Sequence, residues 1–420
     1  MNRPSGKKTK QKISVAIISR AVFPFHGYGG LERHVYHQLR HLTAAGCSVT
    51  LVTESPRKEI QSISANIPGD VEVQLVEKRL IPLPVKKGFI ILDRILNYPL
   101  LSRAMAKSII MQIKENRIDL VYAHGLTAWG ITRLRKKLRL DIPIIVNPHG
   151  MEEFKNINFL KKLAYIPFRR KMLFAARNAD RVVATDEVMI PQVIELLRVN
   201  PEKVILLPNA VDIEEARSLI DKRKKDDLRK RYGISGDALL FLSVGRLEAN
   251  KGFGNLIDQL NRVGKKIDAP WKLLIAGTGS MRIKIEEKIR KYKLSNKVCL
   301  IGSISDSDLH NLYDLADIFI LPSLYEGSSI TTIEAMVHKN PVIANRIGGL
   351  PDKVRSGVNG ILCDPHNPDE LGDALLKLSA EPREKLKEMG SKSAETAERK
   401  YSWQNVAEES VRVFSSLISK

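Results

Sequence analysis

Cysteine is scarce. Cys47, Cys299 and Cys363 stand far apart with no CxxC spacing, which argues against a disulfide framework and against a cysteine-based zinc site, and fits a reducing cytoplasm. Long apolar runs are missing too: none approaches the roughly 20 residues needed to span a bilayer, so any membrane contact is expected to be peripheral. Behind Lys7, Lys8, Lys10 and Lys12 the apolar run at 13–19 stops at Arg20 without a small-residue cleavage site. Residues 1–12 therefore read as a disordered basic tail and not as a secretory signal. Aromatic residues make up only 6% of the chain, and no nucleic-acid module with stacking aromatics is present, so nucleic acid is not an expected partner. No GxxxxGK[ST] sequence occurs, which removes a Walker loop.

What is present is length, charge and a repeated rhythm. At 420 residues the chain exceeds one ordinary hydrophobic core, so two domains are expected. The formal charge of +21 is uneven: residues 1–212 hold 34 Lys/Arg against 18 Asp/Glu, a net of +16, and the remainder nets +5. The excess favours an anionic partner such as phospholipid headgroups or a phosphorylated acceptor. Lys161, Lys162, Arg169, Arg170 and Lys171 alternate with Leu160, Leu163, Tyr165, Ile166 and Phe168, a basic amphipathic pattern that can lie on an anionic bilayer.

Short β-branched runs alternate with amphipathic segments, the pattern of a parallel sheet covered by helices. Strands are predicted at 13–19, 48–53, 120–123, 144–146, 181–184 and 204–207. After the charged stretch 221–231 a second set follows at 239–243, 272–276, 298–301, 318–321 and 341–344. The expected organisation is a tail at 1–12, a Rossmann-like domain at 13–212, a second at 213–400, and a closing helix at 401–420. Two doubly wound halves of this kind place a ligand cleft at the carboxyl ends of their strands.

The most informative stretch follows the strand at 318–321. Glu326-Gly327-Ser328-Ser329 can end a loop and cap a helix starting near Ile330, whose free N–H groups form an anion site. Glu334 falls one turn into that helix. Two carboxylates so placed can accept hydrogen bonds from vicinal hydroxyls at different parts of one ligand. After the strand at 239–243, Arg246 and Lys251 lie in a glycine-framed loop suited to neutralising a diphosphate without a metal. Gly277 and Gly279, at another strand end, allow close backbone approach to a ligand. In the first half Gly29 and Gly30 open a helix, again an anion-friendly geometry, though without the full GxGxxG spacing of a nicotinamide site. His124 and His149 each follow a strand, and either can assist proton handling at an acceptor hydroxyl.

Read in order, these motifs resemble the retaining GT-B glycosyltransferases, specifically glycosyltransferase family 4. The resemblance rests on Glu326 to Glu334 as an E-x7-E element, followed by Ala335-Met336, Gly348-Gly349-Leu350-Pro351 and Asn359-Gly360, and preceded by Pro208-Asn209, Gly245-Arg246, Lys251-Gly252 and Gly277-x-Gly279. It implies an α/β GT-B fold: two Rossmann-like domains facing across a cleft, with the last helix crossing back to the first. It implies a hexosyltransferase that takes a UDP- or GDP-sugar. Arg246 and Lys251 would hold the diphosphate, Glu334 the ribose and Glu326 the transferred sugar. Gly29 and Gly30 would approach the phosphates or the acceptor, and His124 or His149 the sugar. The resemblance implies that no metal or cofactor is needed. The acceptor class expected is a lipid-linked or cell-surface glycan, reached from the cytoplasmic face of the membrane; a soluble acceptor, or an epimerase of the same fold, is the alternative. Two departures from the family pattern stand out: Ser328-Ser329 after the Glu-Gly pair, and Asp352 where glutamate is common.

Overall fold

The computed structural model describes residues 12–27, 29–56, 67, 70–77, 81, 90–154 and 163–419. All but the last residue of the expected basic tail lies outside these, as do Leu160, Lys161 and Lys162. The chain divides into two compact units. The first comprises Met1–Ala184, Ile190–Leu207 and Ala407–Lys420, and the second Thr185–Met189 and Pro208–Val406.

The first unit is built on seven parallel strands: β1 (Ser14–Ile18), β2 (Ser48–Glu54), β3 (Val71–Val76), β4 (Leu120–His124), β5 (Ile144–Asn147), β6 (Arg181–Ala184) and β7 (Val204–Leu206). Their order is β3-β2-β1-β4-β5-β6-β7. The second unit holds β8 (Leu239–Val244), β9 (Trp271–Ala276), β10 (Val298–Gly302), β11 (Ile318–Leu321), β12 (Val342–Asn345) and β13 (Gly360–Cys363). Here the order is β10-β9-β8-β11-β12-β13, again wholly parallel. Both sheets reverse direction beside their first strand, between β1 and β4 and between β8 and β11. In doubly wound sheets that reversal opens a crevice at the carboxyl ends of the two strands, which is where ligands bind.

Continuous apolar sequence makes these strands. Every residue of β8, Leu-Leu-Phe-Leu-Ser-Val, is buried, as expected for a parallel strand covered on both faces. The period of two splits its neighbours between two cores. Phe241, Leu273, Ile275 and Ile320 meet one helical layer, while Leu240, Leu242, Leu274 and Phe319 meet the other. In the first unit Val15, Ile17 and Leu51 pack with Leu39 and Phe414.

Six helices flank the strand ends or link the two units: α1 (Gly30–Ala44), α2 (Ile166–Arg177), α3 (Phe253–Val263), α4 (Ile330–Val337), α5 (Leu350–Lys353) and α6 (Trp403–Ile418). Helix α6 starts in the second unit, and its residues from Ala407 onward belong to the first, where Phe414 lies edge-on to Tyr122 with ring centroids 6.3 Å apart. The division between units falls after Leu207, five residues ahead of the position read from the sequence, and the short segment Thr185–Met189 joins the second unit.

Helix α2 carries the described part of the basic amphipathic segment. Phe168 and Met172 are buried, and the cations are not all turned outward. The Arg169 guanidinium donates to the Glu153 carbonyl, and the Lys171 ammonium sits 5.6 Å from the centre of the Trp129 ring. Arg170, Leu163 and Ile166 face solvent. Among the described residues no helix is long and apolar enough to cross a membrane.

Candidate functional site

In the second unit the crevice-forming strands β8 and β11 each release a loop, and the two loops are pinned together. The backbone N–H groups of Leu324 and Tyr325 both donate to the Asn250 carbonyl, at 2.8 and 3.2 Å. This places Lys251 beside Glu326, and the ammonium donates to Glu326 Oε2 at 2.7 Å. Ser323 Oγ donates to the same oxygen at 3.2 Å. The pair is mostly shielded, with side-chain exposures of 15% and 13%. Glu326 Oε1 accepts nothing from the described residues.

Glu334, on α4, is held in the same way. Tyr313 Oη donates to its Oε2 at 2.9 Å, and its Oε1 has no partner among the described residues. Each glutamate therefore has one oxygen fixed and one available, the arrangement needed to receive a ligand hydroxyl in a set orientation. The start of α4 follows from Ser329. Its Oγ accepts the Thr332 N–H at 3.2 Å, a cap that contributes on the order of 1 kcal/mol. Ser329 thus spends its side chain on its own helix, and what Ser329 and Ile330 present to a ligand is backbone. Ser328 is held from both sides, its carbonyl by Asn209 Nδ2 at 3.1 Å and its hydroxyl by Lys353 Nζ at 3.1 Å.

Arg246 is exposed and its guanidinium makes no hydrogen bond or ion pair with any described residue. It is an untethered counter-charge at the rim, whereas Lys251 is a fixed one. Gly277 and Gly279 lie beside this loop for a reason the sequence did not reveal. A Cβ on Gly277 would fall 1.9 Å from the Gly245 carbonyl oxygen, and one on Gly279 would fall 2.4 Å from that of Leu247. Gly277 also has a φ of +138°. The close approach that demands glycine is therefore between the β8 and β9 loops, sealed by hydrogen bonds from Leu247 N to Thr278 O and from Met281 N to Leu247 O, each 2.8 Å.

In the first unit the strand ends at the β1/β4 reversal carry Gly29, Gly30 and His124. At the N-terminus of α1 a Cβ on Gly29 would lie 2.4 Å from a carboxylate oxygen of Glu32, so the helix's own first-turn acid stands beside this glycine. His124 and His149 come together. Their rings stack with centroids 5.0 Å apart and an 18° tilt, His124 Nδ1 lies 2.7 Å from His149 Nε2, and His124 Nε2 lies 2.9 Å from Gln38 Oε1. His149 adopts a φ of +55°, rare for a residue with a side chain, and is held there by Asn147 Oδ1 accepting its N–H at 3.0 Å. His34, from α1, stands edge-on to both rings.

Burial holds both imidazoles neutral. The pKa of His124 is driven well below 6.5 by desolvation and then by His149 and His34, and that of His149 by desolvation and then His34. The nitrogens of the three histidines lie within 4.8 Å of one another, a spacing that admits a metal ion. The 2.7 Å contact is a hydrogen bond in which one ring nitrogen donates to the other. A cavity of about 140 Å³ opens beside them, lined among others by Arg20, Arg94, Tyr98, Met151 and Phe168.

The structure thus brings Lys251 with Glu326, and His124 with His149. Sequence reasoning did not find Tyr313, Gln38, His34, Asp186 or Lys353. Each acts across a long stretch of chain from its partner, and no local pattern marks it.

Two family models account for most of the chain: "Glycosyltransferase Family 4" matches residues 28–215 and "Glycosyl transferases group 1" residues 224–396. The chain is 30% identical over 236 residues to the uncharacterized glycosyltransferase MJ1607 of Methanocaldococcus jannaschii, a match covering 56% of this chain and 59% of that protein's length. Among solved structures it resembles the sucrose-phosphate synthase of Thermosynechococcus elongatus, with a TM-score of 0.77 at 20% identity over 97% of this chain and all of the other. It also resembles Anabaena HepE in complex with UDP-glucose, with a TM-score of 0.71 at 18% identity over 96% of this chain and all of the other. These likenesses identify the fold as GT-B.

Proposed function

Because the chain belongs to glycosyltransferase family 4, we propose that it transfers a hexose from a UDP- or GDP-sugar to a lipid-linked or cell-surface glycan, retaining the anomeric configuration and needing no metal. The observation that carries this is the pair of glutamates at the β8/β11 crevice, each with one oxygen anchored and one available, beside the fixed charge of Lys251. Lys251 and Arg246 take the diphosphate, Glu334 the ribose hydroxyls and Glu326 the hydroxyls of the sugar. The HepE complex with UDP-glucose supports a nucleotide-sugar donor.

In the transfer step the bond between sugar C1 and the β-phosphate oxygen breaks, and the acceptor oxygen bonds to C1 on the same face. The acceptor proton passes to the departing phosphate. Lys251 and Arg246 stabilise the negative charge that builds on that phosphate. Glu326 is read as a group that holds the sugar, one oxygen anchored by two donors and the other turned to the ligand, and not as the nucleophile of a double displacement.

The net charge of +16 over residues 1–212, with exposed Leu163, Ile166 and Arg170, supports a peripheral site on the cytoplasmic face of a membrane. The likeness to sucrose-phosphate synthase favours a soluble acceptor as the second reading. Incubation with UDP- and GDP-sugars and with each acceptor class separates them. We expect a product with the anomeric configuration of the donor, formed equally in the presence of a chelator, and binding of the protein to anionic vesicles at low salt. Conversion of the donor with no acceptor present would instead mark an epimerase.

A further inference from the structure

We propose that Lys353 is a positioning residue that fixes the loop 326–329 for the transfer step, acting through Ser328. The inference rests on the reading of Glu326 as a donor-binding group.

Lys353 ends α5, and its side chain and that of Asp186 are both completely buried. Its ammonium has three protons and three acceptors: the Asp186 carboxylate, Ser328 Oγ at 3.1 Å and the Gly349 carbonyl at 3.3 Å. The Tyr401 ring covers it, with the centroid 5.0 Å from Nζ. A pair this deep is a costly source of stability, because the desolvation of both ions cancels most of their attraction and apolar residues of the same size serve as well. Its value lies in direction. One proton is aimed at the middle of the loop that carries Glu326.

The surroundings keep that aim fixed. Gly349 N–H donates to the Gly327 carbonyl at 2.8 Å, so the carbonyl that binds Lys353 belongs to a peptide segment already tied to the same loop. Gly348, at a φ of +49°, lies so close that a Cβ would fall 2.2 Å from the Glu326 carbonyl oxygen. Gly349 leaves no room for a Cβ against the Asp186 carboxylate, which would stand 2.2 Å away. Asp352 secures the other strand of the arrangement, its Oδ2 accepting the Val188 N–H at 3.2 Å. Of the positions that depart from the family pattern, Ser328 meets the buried pair directly, while Asp352, next to Lys353 in sequence, meets the segment that carries Asp186 at the surface. Asp186 is pulled in opposite directions, upward in pKa by burial and downward by Lys353.

The test is a set of variants assayed for donor affinity and turnover separately. Asp186→Asn combined with Lys353→Met removes both charges, and Ser328→Ala removes only the hydroxyl. We expect each to bind the nucleoside diphosphate within about twofold of the parent, because Arg246 and Lys251 are untouched, while kcat falls about tenfold for the charge-free pair and about threefold for Ser328→Ala. Combining all three should cost no more than the pair alone, as is required of residues acting through one contact. Ser328→Thr, which keeps the hydroxyl, should restore kcat. Parent-level kcat in Ser328→Ala, or full additivity in the combined variant, overturns the proposal even if the charge-free pair fails to fold. Full turnover by Glu326→Gln would instead overturn the donor reading on which it rests.

Discussion

The two units follow one plan and place different ionisable pairs at their strand-end sites. In the second, ammonium groups meet carboxylates, Lys251 with Glu326 and Lys353 with Asp186, largely shielded from water. In the first, His124 meets His149 and an amide, and burial removes the charge. A crevice of paired charges can exchange partners with a diphosphate and a sugar. A neutral histidine pair can offer hydrogen bonds without carrying a charge of its own. The net charge runs the other way, since residues 1–212 carry a net of +16 to which this pair contributes nothing. Net charge and the charge of a site are thus separate properties, and only the second bears on chemistry.

Substitutions that exchange these behaviours sharpen the contrast. The largest effect is expected from Glu326→Gln, which keeps the shape but loses the carboxylate: a fall in transfer of about a hundredfold or more, with nucleotide affinity nearly unchanged, read from kcat and a separate titration. A smaller one is expected at His124. His124→Ala should lower kcat by roughly ten- to a hundredfold with little effect on donor binding, since the residue lies in the other unit.

Acid sharpens the same difference. Folded His124 and His149 titrate well below 6.5, and the unfolded chain titrates near 6.5 and so binds more protons as the pH drops past that value. Stability should therefore be intact above about pH 6.5 and decline below it, by up to about 1.4 kcal/mol per pH unit for each histidine. In the second unit His338, lowered to about 3, loses its contribution over the window from 6.5 to about 3. Denaturant unfolding at pH 7.5 and 5.5 measures this, and replacing His124 and His149 together by Gln should flatten the part of the decline that belongs to the first unit. A decline unchanged by that replacement would show that the pair is not the acid-sensitive element. The smallest effect belongs to Arg246→Ala. This exposed cation should cost nucleotide affinity only a few fold, and the loss should shrink as salt is raised.

Much of the fold was legible because the interior strands are continuous apolar runs with turn residues at their ends. The strands that escaped notice are β3 and β13, both at sheet edges. β3, Val-Glu-Val-Gln-Leu-Val, is half exposed and carries polar residues, and β13 is four residues long and begins with glycine. An edge needs less apolar sequence, so it leaves a weaker trace. At the site, Ser329 announced its helix correctly because a cap is a local event. The glycines at 277 and 279 suggest room for a ligand in the sequence, and the structure adds that they permit contact between two loops. Lys353 and Asp186 stand 167 residues apart in sequence, and nothing in the sequence alone joins them.

The most direct test of the donor crevice is a titration of UDP and of GDP into the parent chain and into a variant carrying both Arg246→Ala and Lys251→Ala. One nucleotide should bind the parent clearly better than the other, and the variant should lose at least about tenfold in affinity for it while remaining folded. Equal affinity in parent and variant would contradict the claim that the crevice between β8 and β11 holds the donor.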